Sequence, residues 1–245
     1  MDAIPLLRLN HAATLRREQI SDSAFCIVVD DFLANPHEIV EFAAKHPSSF
    51  ANPNVGYPGV QIRVHDSPMR EVFRFVRSRM SREFGFFRPH IGIRSLLSLV
   101  TWPPERLSFM QRICHIDPNL EPGRAKYAAL LYLFADERLG GTSFYRWKNE
   151  PLVWPGVKLL RENPAQGEEF MRQHFATFRG PPSYMTDSND VAERIYTVPP
   201  RFNRFVFYSG DLPHSASITA PELLSDDPGN GRLTLNLFFS VKPTS

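Results

Sequence analysis

The 22 prolines distributed along 245 residues are the strongest constraint on this chain. Proline fixes φ and lacks an N–H, so it interrupts helices and central strands. A chain punctuated this often is built from short elements and loops, which suits a β-rich fold with a decorated periphery. In the C-terminal half, runs at 125–134, 142–147, 204–208, 215–219 and 232–241 read as strands. They are separated by turn residues such as Gly140-Gly141 and Ser209-Gly210-Asp211. Short strands and frequent turns predict an antiparallel sandwich or barrel. The 125–134 run is apolar throughout, as expected of a strand buried on both faces.

The N-terminal half is more mixed. A β-branched run at 25–33 predicts a strand ended by Asp30-Asp31, and apolar residues at helical spacing predict a helix over 37–45. Residues 47–60, rich in Pro, Asn and Gly, read as loop. A second helix is expected over 69–84, and a strand pair over 91–101 and 106–114 around Trp102-Pro103-Pro104. Residues 146–195 form a long interlude with helical patches, for example 168–178. There is no internal repeat, so the expectation is one domain over 1–245, with 1–105 as support for a β core over 106–245.

Composition excludes several classes. With 42% hydrophobic and 22% charged residues the chain is neither disordered nor fibrous, and a net charge of +2 gives no electrostatic argument for nucleic acid. No apolar run approaches the roughly 18 residues that a membrane span needs. The first residues lack the basic and apolar pattern of a secretion signal, so a cytoplasmic location is the expectation. Cys26 and Cys114 lie in no metal or redox spacing.

The most informative tripeptide is His115-Ile116-Asp117. On an extended strand, residues two apart share a face, so an imidazole and a carboxylate stand side by side. A distant histidine, His214, beside the Ser209-Gly210-Asp211 turn, would complete two nitrogens and one oxygen on one face of a metal ion. That is the donor set of the facial triad that holds non-haem Fe(II). Taken alone, a His-x-Asp is more often incidental, and a single histidine beside a turn is more often solvated. Arg232 and Thr234 alternate with leucines on the last strand and so share a face. A guanidinium fork binds a carboxylate with two hydrogen bonds, and a neighbouring hydroxyl adds a third. A solvated strand-start arginine is the simpler reading of Arg232 by itself. Tyr132 is a polar tip in an apolar run, which a plain core tyrosine also explains.

The order of these parts resembles the 2-oxoglutarate/Fe(II)-dependent dioxygenases, and within them the prolyl-4-hydroxylase-like subgroup. It is His115-x-Asp117, then 127–133, Gly140-Gly141-Thr142-Ser143-Phe144, Phe205-Val206-Phe207 with His214, and Gly231-Arg232. The resemblance covers about 110–242. It implies a double-stranded β-helix, a jelly-roll or cupin-like core within a mainly β fold with peripheral helices (α+β), interrupted by an insertion at about 146–195. It implies His115, Asp117 and His214 as iron ligands, Arg232, Tyr132 and Thr234 as anchors of 2-oxoglutarate, and O2 as co-substrate. The product would be a hydroxylated small molecule or protein side chain, with release of succinate and CO2. The entry strand and helix also look like those of a family of uncharacterised bacterial proteins. Three features depart from the pattern: the insertion, the long 219–231 loop, and Phe134 where relatives often carry Asn. Two other readings stay open, a cupin-like metalloenzyme that does not use 2-oxoglutarate and a non-catalytic binding or partner module. Aromatic residues of the interlude (Trp147, Trp154, Phe170, Phe175, Phe178, Tyr184) either line an apolar pocket or form a satellite core.

Overall fold

A computed structural model describes residues 4–53, 56–86, 92–118 and 121–241. The chain begins with β1 (Leu15–Ser21) and β2 (Ala24–Val29), then α1 (Pro36–Lys45) and β3 (Gly59–Val64). A helical segment follows, made of α2 (Arg70–Phe75), a π turn (Val76–Met80) and α3 (Ser81–Phe84). After it come β4 (Gly92–Val100), β5 (Ala125–Tyr132) and β6 (Thr142–Trp147), then α4 (Glu150–Glu162) and α5 (Pro164–His174). β7 (Ala192–Val198), β8 (Phe205–Ser209), β9 (His214–Ala216) and β10 (Arg232–Val241) complete the chain.

The strands form two antiparallel sheets. The larger has the order β1-β2-β8-β5-β10-β4-β3 and the smaller β7-β6-β9. The central strands of the larger sheet are distant in sequence, as β2 beside β8 shows, whereas β1/β2 and β3/β4 are consecutive pairs at its edges. The fold is a double-stranded β-helix, mainly β with helices at its periphery.

Alternation along the strands builds the layers. On β5 and β10, Ala129, Leu131, Leu235 and Leu237 face one way. They enter the largest core, shared with Ile39 and Ala43 of α1 and with Val72, Val76 and Met80 of the helical segment. The opposite face carries Ala128, Leu130 and Tyr132, which meet Phe144 and Val198 of the smaller sheet. This second face is the inside of the barrel, and Arg232 and Thr234 belong to it, since Thr234 lies opposite Tyr132.

Most sequence expectations hold, with boundaries shifted by a few residues. The segment 106–114 is a correction: it contains two 3-10 turns, Pro104–Arg106 and Phe109–Gln111, and no strand. The Ser108 N–H donates to Gln111 Oε1 (2.8 Å), half of a capping box, and this closes a turn where an extended chain was expected. Residue 91, the first of the expected 91–101 strand, lies outside the described residues. β1, β3 and β7 were not foreseen. β1 is a polar edge strand, β3 begins inside a stretch read as loop, and β7 begins at the end of the interlude and runs past it.

The interlude itself is a helical pair. Its apolar faces form a satellite core of Val153, Val157, Met171, Phe175 and Phe178 with Phe109 and Ile113, and Trp147 and Phe170 pack at its edge. Trp154 is partly exposed, and Tyr184 points instead into the cluster around Val100 and Ile218. No helix among the described residues is long and apolar enough to cross a membrane.

Candidate metal centre

His115 lies just before the barrel strands and docks onto the smaller sheet beside β9. Its N–H donates to the His214 carbonyl (2.9 Å), and its carbonyl accepts the reciprocal bond from the His214 N–H (2.8 Å). Residues exchanging both bonds in an antiparallel pair are directly opposite and share a face. The two imidazoles are therefore neighbours, with ring centroids 4.5 Å apart. Asp117, two residues on, faces the same side. Its N–H donates to the Gly210 carbonyl (2.9 Å), and its Oδ1 is 3.7 Å from His214 Nε2. One ligand atom from each of His115, Asp117 and His214 lies within 4.8 Å of the others.

The donor set suits a hard or borderline divalent cation. His214 Nδ1 is 2.8 Å from the Leu212 carbonyl, which can only accept, so Nδ1 carries the proton and Nε2 presents its lone pair to the cluster. Asp117 Oδ2 is buried with no hydrogen-bond partner among the described residues, a costly state for a carboxylate oxygen that a cation would relieve. Burial pulls both imidazoles down to about 4, and His214 adds to the effect on His115. His115 is exposed in surface terms, so this desolvation reflects a ring crowded by protein with one side open. Burial pushes Asp117 up to about 6, against the pull of His115 and Lys126. Near neutral pH the site thus offers two neutral nitrogens and one carboxylate.

Several supporting residues escaped the sequence reading. Lys126 Nζ donates to the Asp117 carbonyl (2.6 Å) and pairs with Asp211 (3.1 Å). A lysine in an otherwise apolar strand was the available signal. Gly210 lies so close to Asp117 that a Cβ there would stand 2.9 Å from Oδ2. Tyr208 packs edge-on against His214 at 4.9 Å, with Phe144 behind it.

Arg232 is buried at 4% exposure and pairs with no carboxylate among the described residues. Nε donates to the Leu139 (3.0 Å) and Gly140 (3.3 Å) carbonyls, and Nη2 to the Gly141 carbonyl (2.9 Å). The Phe134 ring covers the guanidinium at 5.5 Å, which gives the departure at that position a place in the pocket. Burial lowers the Arg232 pKa, opposed by Tyr132, Tyr57 and Tyr184. The Tyr132 hydroxyl bonds Thr142 Oγ1 (2.9 Å), and Thr234 Oγ1 makes a long contact with the Ser98 carbonyl (3.5 Å). The six residues singled out in the sequence therefore fall into two groups on the inner walls of the barrel, three around the cluster and three around the guanidinium.

A family model described as a family of unknown function (DUF6445) matches residues 11–239. The chain belongs to that family. No curated protein matches it. Among solved structures, it is similar to the non-heme alpha ketoglutarate dependent carbocyclase SnoK from nogalamycin biosynthesis. The two are 13% identical with a TM-score of 0.50, over 88% of this chain and 79% of that one. At such identity the likeness is one of fold, the double-stranded β-helix of these oxygenases. A prolyl-4-hydroxylase from Pseudomonas putida is 12% identical over 96% of this chain and all of its own, with a TM-score of 0.37.

Proposed function

We propose that this protein is a non-haem Fe(II)- and 2-oxoglutarate-dependent dioxygenase that hydroxylates a small molecule or an amino-acid side chain. The observation that carries the proposal is the convergence of His115, Asp117 and His214 on one point, with the Asp117 oxygen left unsatisfied. The buried, carboxylate-free Arg232 supports it, because an isolated interior cation calls for an anion.

His115, Asp117 and His214 would hold the iron, which would supply the chemistry to bind the keto acid and O2 and to oxidise a C–H bond. The balance is 2-oxoglutarate, O2 and R–H giving succinate, CO2 and R–OH. Leu212 fixes the His214 ring, and Lys126 and Gly210 hold the Asp117 backbone, so these two ligands are oriented before anything binds. Arg232 binds the carboxylate of 2-oxoglutarate remote from its keto group. Thr234 offers a hydroxyl there, and Tyr132 can donate once it accepts its bond from Thr142. Phe134 covers the Arg232 guanidinium, and Phe144 and Tyr208 pack at His214, aromatic neighbours that would help exclude bulk water from a bound acid.

The test is anaerobic titration of the purified protein with Fe(II) and then 2-oxoglutarate, followed by succinate assay in air. A weak visible charge-transfer band that Arg232→Gln abolishes is expected. An iron-loaded, folded protein that shows no band would overturn the co-substrate assignment. Failure to retain iron would overturn the metal site.

A further inference from the structure

Three tyrosines are the ionisable neighbours of Arg232, and their hydroxyls are spent differently. Tyr132 bonds Thr142, and Tyr184 donates to the Trp102 carbonyl (2.7 Å). Tyr57 has no such outlet. Its hydroxyl oxygen is buried, and although Ser98 and Thr234 lie beside it, no hydrogen bond of acceptable geometry joins it to either.

The segment carrying Tyr57 is fixed. The Gly59 N–H donates to the Tyr57 carbonyl (2.9 Å), and the Pro58 carbonyl accepts from the N–H groups of Thr101 (3.2 Å) and Trp102 (3.3 Å). Gly59 lies so close to β4 that a Cβ there would stand 2.1 Å from the Leu99 carbonyl oxygen. The Tyr57 ring packs with the apolar cluster of Val100, Leu107, Ile218 and Tyr184. Its hydroxyl is thus held in place rather than free to swing toward solvent. A buried hydroxyl that makes no well-formed hydrogen bond among the described residues is an expensive arrangement, and it stands beside a buried cation with no carboxylate partner among them. A single carboxylate would satisfy both.

We infer that Tyr57 is a binding residue for the carboxylate that Arg232 receives, donating its hydroxyl hydrogen to one of the oxygens. The anion pocket is then built from two parts of the chain: β5 and β10 of the barrel, and the N-terminal segment leading into β3. This rests on the function proposed above. It assigns to the N-terminal part a direct share in ligand recognition, beyond support of the barrel.

The experiment compares the full-length protein with Tyr57→Phe and Arg232→Gln, each loaded anaerobically with Fe(II) and titrated calorimetrically with 2-oxoglutarate and with pyruvate, which lacks the remote carboxylate. Tyr57→Phe is expected to weaken 2-oxoglutarate binding about tenfold, leave pyruvate binding unchanged, and leave the ligand-free melting temperature equal or higher. If Arg232→Gln abolishes 2-oxoglutarate binding while Tyr57→Phe changes it less than twofold, this inference fails and the proposed function stands. Equal weakening of both ligands by Tyr57→Phe, or a lower ligand-free melting temperature, would assign the hydroxyl a structural role and also overturn it. If the wild type binds neither ligand, the function fails and takes the inference with it.

Discussion

His115 and His214, 99 residues apart in sequence, exchange two backbone hydrogen bonds (2.9 and 2.8 Å) and so present their rings side by side. The main chain makes this pairing, so replacing either side chain leaves it intact. His115→Ala, Asp117→Ala and His214→Ala are therefore expected to fold, with bound iron falling from near one per chain to near zero by elemental analysis. Full iron retention in any one of them would remove that residue from the ligand set.

Gly210 tests how tightly Asp117 is placed. Its carbonyl accepts the Asp117 N–H, and an added Cβ would lie 2.9 Å from Oδ2 and 3.1 Å from the Asp117 Cβ. Gly210→Ala must displace the carboxylate or the turn. Iron affinity is expected to fall about 10- to 100-fold, the scale seen when groups that orient metal ligands are disturbed. Competition with a chelator of known affinity measures it, and unchanged affinity would mean the carboxylate has slack.

How much of this could be read from the sequence depends on the kind of signal. The strands at 142–147 and 232–241 coincide with β6 and β10, because a glycine directly before each, Gly141 and Gly231, marks where it starts. The three cluster residues were found because a His-x-Asp spacing is local and the third histidine follows a turn. Lys126 was passed over inside a run read as apolar; only the tertiary contact with Asp117 and Asp211 explains it. β1 was missed for a related reason. Its sequence, Leu-Arg-Arg-Glu-Gln-Ile-Ser, is that of a solvated edge, and pairing with β2 makes it a strand. Tyr57 carries no sequence signal of its role, since an orphaned hydroxyl is a property of the packed structure.

The helical pair of the insertion is pinned to the barrel side by Arg112. Its Nη2 donates to the Thr177 (3.1 Å), Gly180 (3.2 Å) and Pro181 (3.4 Å) carbonyls, and Phe109 and Phe178 flank the guanidinium, both at 5.3 Å. Arg112→Ala would leave these carbonyls short of a donor and open the aromatic stack. A loss of about 2–4 kcal/mol in local stability is expected. Limited proteolysis should then cut within 148–190 at rates well above wild type, with iron binding unchanged. Wild-type resistance in the variant would show that the satellite core alone holds the insertion.

Asp30 ties β2 to the segment before β8 and supplies a pH test remote from the metal site. Arg204 Nε (2.5 Å) and Arg16 Nη1 (2.5 Å) donate to its two oxygens, and Arg201 lies 3.4 Å away. Burial by itself would raise the carboxyl pKa, but the hydrogen bonds from Arg204 and Arg16 outweigh it and the net shift is downward. A carboxyl whose folded pKa lies below its unfolded value, about 4, stabilises the fold above that value. The contribution disappears as pH falls through the lower folded value. Asp30→Asn is therefore expected to cost about 1 kcal/mol at pH 7, since the group is only partly buried but bonded twice to charged donors. The gap should stay constant from pH 7 to 5 and narrow as pH falls below about 4, as urea unfolding of both proteins at pH 7, 5 and 3 would reveal. A gap that stays constant across those conditions would place the stabilisation in packing instead of charge.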